Sequence, residues 1–176
     1  HPQCKVQRGH EPAPNRVRVA RPLLAAIAPV TVGEFARFIA KTHHNPGPRC
    51  WTYEDEDGHI RQGRGWSNPG FATLPSQPVL CVSQAEVQAY IAWLKRKTGL
   101  TYRQLTEAEY EYVNRAGAAT DFWWGNEAGA NQRNCHGCGR LGCNRRTPPV
   151  RRFAATALGR VQPPAAPPAC APRACR

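Results

Sequence analysis

Thr106-Glu107-Ala108-Glu109-Tyr110-Glu111-Tyr112 opens on a helix-start signal. Thr106 and Glu109 have capping-box spacing. The hydroxyl accepts a backbone N–H inside the first turn, and the carboxylate accepts the N–H of the capping residue itself. The pattern predicts a helix through Glu111 and Val113 to about Arg115, closed by Gly117. The same spacing occurs twice upstream. Ser83 and Glu86 open a second helix, with Val87, Tyr90, Ile91 and Leu94 on one stripe and Ala89 and Trp93 alongside. Lys95, Arg96 and Lys97 fall in its last turn, where positive charge suits the helix dipole, and Gly99 is placed to cap it. Thr31 and Glu34 open the first helix, in which Phe35, Phe38 and Ile39 give one apolar face that ends near Thr42.

Between the first two helices, residues 43–79 show no helical period. His43-His44-Asn45-Pro46-Gly47-Pro48 leads into the acidic run Glu54-Asp55-Glu56-Asp57. Trp51, Trp66 and Phe71 punctuate the stretch. A long irregular segment of this kind serves a site or is pinned by aromatic side chains. Trp51 and Trp66 are expected as plugs beneath loops, the acidic run as an exposed turn, and His43 and His44 as loop histidines. Upstream, Val17 and Val19 alternate with Arg16 and Arg18, which reads as a short strand over 15–20 with one buried face.

The chain has 176 residues, a net charge of +12 and 41% hydrophobic residues. That suits one domain with a modest core and a tail. No apolar run approaches the ~18–20 residues of a membrane span. The charge is uneven. Residues 1–127 carry 15 Lys+Arg against all 12 acids, whereas 128–176 carry nine Arg and no acid. Such a tail could hold nucleic acid by counterion release. However, Phe153 is the only aromatic residue after Trp124, so the stacking platform of a single-strand binder is missing. Nucleic acid is not the expected partner. Cysteines stand at 4, 50, 81, 135, 138, 143, 170 and 175. Their pairing stays open, as does the choice between cytoplasm and export.

The segments also form an ordered series. Val30-Thr31-Val32-Gly33-Glu34-Phe35 resembles the VTxxEF opening of the formylglycine-generating enzyme family, also called sulfatase-modifying factor domains. Trp66-Ser67-Asn68-Pro69-Gly70-Phe71 resembles its W..PGF loop. Gln77-Pro78-Val79 with Val82-Ser83 is similar to its hPVxxVSW.DA segment, and Ala89-Tyr90 with Trp93-Leu94 to its AYxxWL helix. Thr106 to Tyr112, continued by Arg115-Ala116-Gly117, resembles PTEAEWEYAAR. Trp124-Gly125 resembles its WG pair. Asn134-Cys135-His136-Gly137-Cys138-Gly139 resembles the NCxGCG of a bacterial subset, and Thr147-Pro148-Pro149-Val150 the start of TxPVGSF.

The resemblance implies an α+β, irregular C-type-lectin-like fold. It divides the chain into a polar segment 1–14, a partial domain 15–150 and an Arg/Pro/Ala-rich tail 151–176, expected to be disordered. The signature positions it carries over are Glu34, Trp66, Ser83, Trp93, Thr106, Glu109, Glu111, Arg115, Trp124 and Gly125. The implied activity is oxygen-dependent oxidation of a cysteine in a sulfatase to formylglycine, on copper held by two cysteine thiolates; soft thiolates suit Cu(I). The implied partner is a sulfatase-like protein or peptide.

Departures from the pattern bear on activity. Gln84 stands where the family has Trp, a loss of about 2–3 kcal/mol if the position is buried. Tyr110 replaces another Trp, a mild change. After Val150 the family continues with GNVWEW, RGGSW and its catalytic cysteines. Here Val150-Arg151-Arg152-Phe153 leads into Ala-, Pro- and Arg-rich sequence. A shifted reading frame, truncation and natural divergence all give this texture. Cys170 and Cys175 lie in that tail with no scaffold to preorganise them. No catalytic residue is assigned, and the chain is expected to be inactive by itself.

Two metal readings accompany the resemblance. Cys135, Cys138 and Cys143 have C-x2-C-x4-C spacing, open to zinc or an iron–sulfur cluster with a fourth ligand such as Cys4 or Cys50, or to disulfides and free thiols. Asn134 matches the first Asn of a family calcium site, whose later ligands fall in the replaced segment. Two other functions stay open. A non-catalytic lectin-like display module would expose aromatic and Asn residues within 43–76. A fragment of an ergothioneine-type sulfoxide synthase would need a metal-binding helical-bundle partner domain, which this sequence does not encode.

Overall fold

The computed structural model describes residues 22–52, 58–120, 124–126 and 149–150. Three helices form where the capping boxes stand: α1 (Val32–Thr42), α2 (Gln84–Thr98) and α3 (Glu107–Arg115). Thr31, Ser83 and Thr106 are extended N-cap residues, and all three boxes close in both directions. Each cap is worth about 1 kcal/mol. His43 ends α1 and Gly99 ends α2 in the left-handed conformation, with cap N–H groups donating to the Ile39 and Lys95 carbonyls. At α3 the left-handed cap is Ala116 (φ 52°), whose N–H donates to the Tyr112 carbonyl; Gly117 (φ 84°) follows. The closure thus begins one residue before the expected glycine. Glycine relieves only its second step.

Two short strands on either side of residues 53–57 pair antiparallel, a hairpin that the sequence did not announce. β1 (Arg49–Thr52) pairs with β2 (His59–Gln62), with Cys50 opposite Arg61 and Trp51 opposite Ile60. Neither strand has the apolar alternation of a half-buried strand. The Gly63 N–H donates to the Pro48 carbonyl and closes the open end of the pair. With three helices and this two-stranded sheet, the described part is mixed α+β.

A short strap aligns the starts of α1 and α2. The Val32 N–H donates to the Gln77 carbonyl, Gly33 N–H to Pro75, and Val79 N–H to Val30. A Cβ on Gly33 would lie 3.2 Å from both Pro75 Cβ and Pro75 O, so the close approach uses the missing side chain. Val150 returns to the same strap, its N–H donating to the Ser76 carbonyl.

The core lies between α1 and α2. Phe35 and Phe38 are buried, with Val113 of α3. Phe38 packs against Tyr90 (5.5 Å between centroids) and Trp93 (5.7 Å), and Phe35 against Tyr90 (6.0 Å) and Trp66 (5.4 Å). Burying a phenylalanine is worth about 1.5–3 kcal/mol. Each favourable ring pair adds roughly 0.5–1.5 kcal/mol. Among the described residues no helix is long and apolar enough to cross a membrane.

Two expectations about the loops change. Trp66 plugs the core, but Trp51 is 57% exposed, because the hairpin register turns it outward beside Ile60, 50% exposed. Gln84 is exposed as well, and its amide donates to Gln104 Oε1 (2.6 Å). The loss of buried area considered for a Trp-to-Gln difference at this position therefore does not apply. The expected strand over 15–20, the acidic run 54–57 and the tail 151–176 lie outside the described residues.

Candidate functional site

The α1–α2 aromatic body meets the hairpin at Glu86. This carboxylate is buried and satisfies the start of α2 by accepting from the Ser83 N–H. Its other oxygen, Oε1, accepts from the Gly47 N–H at 3.1 Å. One side chain thus caps a helix and anchors the segment that enters β1. A buried carboxylate is tolerable only when hydrogen-bonded in this way.

A covalent tie lies nearby. Cys50 of β1 and Cys81, two residues before the N-cap of α2, form a disulfide with 5.1 Å between Cα atoms. It spans a sequence separation of 31 residues. The chain-entropy view gives such a cross-link about 3–4 kcal/mol. The disulfide removes Cys50 from the set of possible fourth ligands for the Cys135 cluster, since a disulfide sulfur carries no thiolate charge.

The signature side chains are engaged in structure. Glu34 accepts from the Thr31 N–H (2.8 Å) and hydroxyl (2.9 Å). Trp66 meets the edge of Phe35, and Ser83 accepts from the Glu86 N–H. Trp93 packs at a tilt within the cluster and carries the Lys97 ammonium 5.1 Å from its ring centre. Tyr90, between both phenylalanines, has its pKa pushed up by burial first and by the Glu34 charge second.

The α3 end is held by charge. Arg103 donates to both oxygens of Glu109, at 2.6 and 2.7 Å, and Glu109 also accepts from the Thr106 N–H. The Arg103 hydrogen bonds, then the backbone bond, pull the Glu109 carboxyl down to about 2. Glu111 pairs with Arg115 one turn later (2.9 Å), and Arg115 reaches on to the Thr120 carbonyl. Trp124 is half-buried, and Gly125 takes φ 136°, a region open to glycine.

The structure therefore joins Glu34, Trp66, Ser83 and Trp93 around one aromatic body and Thr106, Glu109, Glu111 and Arg115 along α3. Cys135, Cys138, Cys143 and Asn134 lie outside the described residues. Among the described residues no group of three His, Cys, Asp or Glu side chains could hold a metal ion. His43 caps α1, whereas His44 packs against Phe38, 5.4 Å between centroids. The described cysteines, joined to each other, do not fit Cu(I) as thiolate ligands. The Glu86–Gly47 bond and the Cys50–Cys81 bond are the features that sequence reasoning missed. Both are contacts through space and carry no local spacing signal.

No curated protein matches the sequence. The family model described as the sulfatase-modifying factor enzyme 1-like domain matches residues 3–162, most of the chain. That match covers well over half of the sequence, and the chain belongs to the sulfatase-modifying factor enzyme family.

Proposed function

We propose that this chain is a formylglycine-generating-enzyme-like protein with a C-type-lectin-like arrangement, which recognises a sulfatase-type polypeptide but does not oxidise its cysteine unaided. Family membership supports the substrate class. The signature side chains serve the scaffold: Glu34, Ser83, Thr106 and Glu109 close helix caps, and Trp66 and Trp93 pack. The observation that carries the inactive reading is the sequence 151–176, with Ala, Pro and Arg where the family pattern continues into its catalytic segment.

The test is aldehyde formation. The full chain, loaded with Cu(I) under oxygen, is incubated with a cysteine-containing sulfatase peptide and probed with a hydrazide. No aldehyde is the expected result, and catalytic aldehyde formation contradicts the reading. Translating the DNA for residues 145–176 in all three frames tests its origin. Recovery of GNVWEW and RGGSW in another frame assigns the enzyme activity to the frame-restored protein. Metal analysis of the purified chain extends the test. Stoichiometric zinc that is lost in a Cys135→Ser/Cys138→Ser variant supports a site at Cys135, Cys138 and Cys143, and stoichiometric copper contradicts the proposal.

A second reading, a non-catalytic display module, is favoured by one observation. Trp51 and Ile60 are exposed as a cross-strand pair, with Asn45 and Asn68 exposed in the same stretch. Binding of a peptide or glycan that disappears in Trp51→Ala, in a chain without oxidase activity, would select this reading.

A further inference from the structure

We propose that the Cys50–Cys81 disulfide is a redox latch, which holds the β1–β2 hairpin, and with it the outward Trp51–Ile60 pair, against the start of α2.

The hairpin has four residues in each strand, a length that is marginal in isolation. Two described ties of different kinds join it to the start of α2. The Gly47 N–H bonds Glu86 Oε1, and Cys50 bonds Cys81. Both run to the segment 81–86 at the start of α2. Only the covalent tie responds to reductants.

Both cysteines are half-buried, so neither sulfur is sealed in a core. Cys81 also takes a left-handed backbone, φ 58°. Glycine and asparagine enter this region readily; a residue with an ordinary Cβ enters it at a cost. Such conformations persist where surrounding structure imposes them, and they gather at switch segments. The bond to Cys50 is one restraint on Cys81. Reduction removes that restraint and lets the segment leading into Ser83 relax.

The chemistry is a two-electron exchange with a dithiol of the thioredoxin class. A thiolate of the reductant attacks one sulfur of the pair, forms a mixed disulfide and expels the other cysteine as a thiolate, which takes a proton from water. The second reductant thiol then attacks the mixed disulfide and releases the remaining cysteine. The products are two cysteine thiols and the oxidised reductant. The Gly47–Glu86 hydrogen bond does not respond to reductants, so it serves as the hinge on which the hairpin moves when the Cys50–Cys81 tie opens.

The experiment uses the full chain in three forms: oxidised, treated with a dithiol, and the Cys50→Ser/Cys81→Ser double variant. Trypsin cleavage after Arg49 and Arg61 is followed by mass spectrometry. Circular dichroism at the helix bands checks that α1–α3 persist, and alkylation reports which cysteines were reduced. Cleavage roughly tenfold faster in the dithiol-treated chain and in the double variant is expected, with reoxidation restoring protection only where both cysteines are present. Equal cleavage in all three forms, with Cys50 and Cys81 shown to be alkylated after reduction, overturns the latch. So does resistance of this pair to a thioredoxin-class dithiol. Loss of the helix bands in the double variant also overturns it, because the bond is then a condition of folding. Neither aldehyde formation nor peptide binding enters these readouts, so the latch and the proposed function fail separately.

Discussion

The aromatic body of α1 and α2 and the β1–β2 hairpin use opposite means to stay in place. In the body, Phe35 and Phe38 are buried, and across two helices Phe35 stacks on Tyr90 while Phe38 meets it edge to face. In the hairpin, Trp51 and Ile60 point outward while Thr52 is buried, and its described ties to the start of α2 include one buried carboxylate and one disulfide. The first arrangement is cooperative, because each ring supports several others. The second depends on discrete ties and can change without unfolding the first. A recognition surface placed on the second region can therefore vary in sequence at little cost to the scaffold.

Substitutions rank the two regions. Phe38→Ala removes the most buried ring and should destabilise the chain by about 3–5 kcal/mol, measured by urea denaturation. A cost below about 1 kcal/mol would mean that the body is not the stability centre. Glu86→Ala leaves the Ser83 and Gly47 N–H groups without their acceptor and should cost about 1–3 kcal/mol. Its mark is faster amide exchange at Gly47 and Ser83, which lie on opposite sides of the junction. Trp51→Ala should change stability by less than about 0.5 kcal/mol, since the ring is mostly outside. A large loss there would make the hairpin part of the scaffold.

The α3 end sharpens the comparison through pH. Glu109 has a folded pKa of about 2 against an ordinary 4.5. A depressed carboxylate contributes stability above its unfolded pKa and loses it as pH falls through the folded value. Local melting at α3 is thus expected between about pH 4.5 and 2, before the aromatic body responds. Exposure to solvent keeps the effect small, and raising salt should weaken it. The acid transition of α3 signals by NMR should vanish in Glu109→Gln.

The parts legible in the sequence were those set by local spacing. Thr31–Glu34, Ser83–Glu86 and Thr106–Glu109 each signal a helix start through contacts three residues apart, and all three appear. The ordered motifs also located the family. The hairpin was not legible. Arg49-Cys50-Trp51-Thr52 and His59-Ile60-Arg61-Gln62 mix charge with apolar residues on both faces, so no period of two stands out. The outward turn of Trp51 follows from that register and not from its hydrophobicity. The Cys50–Cys81 pairing is a long-range contact, and eight cysteines leave many pairings open. The acceptor role of Glu86 toward Gly47 crosses 39 residues and has no local signature.

Native-state hydrogen exchange on the oxidised full chain tests the central claim, a cooperative aromatic body carrying a separately tethered arm. Amides at Phe38, Tyr90 and Trp93 should exchange slowest, together and at the global unfolding free energy. Amides at Trp51 and Ile60 should exchange at least roughly tenfold faster and accelerate on reduction, with the helix amides unchanged. Uniform protection across Phe38, Tyr90, Trp51 and Ile60, moving as one unit on reduction, would contradict the account.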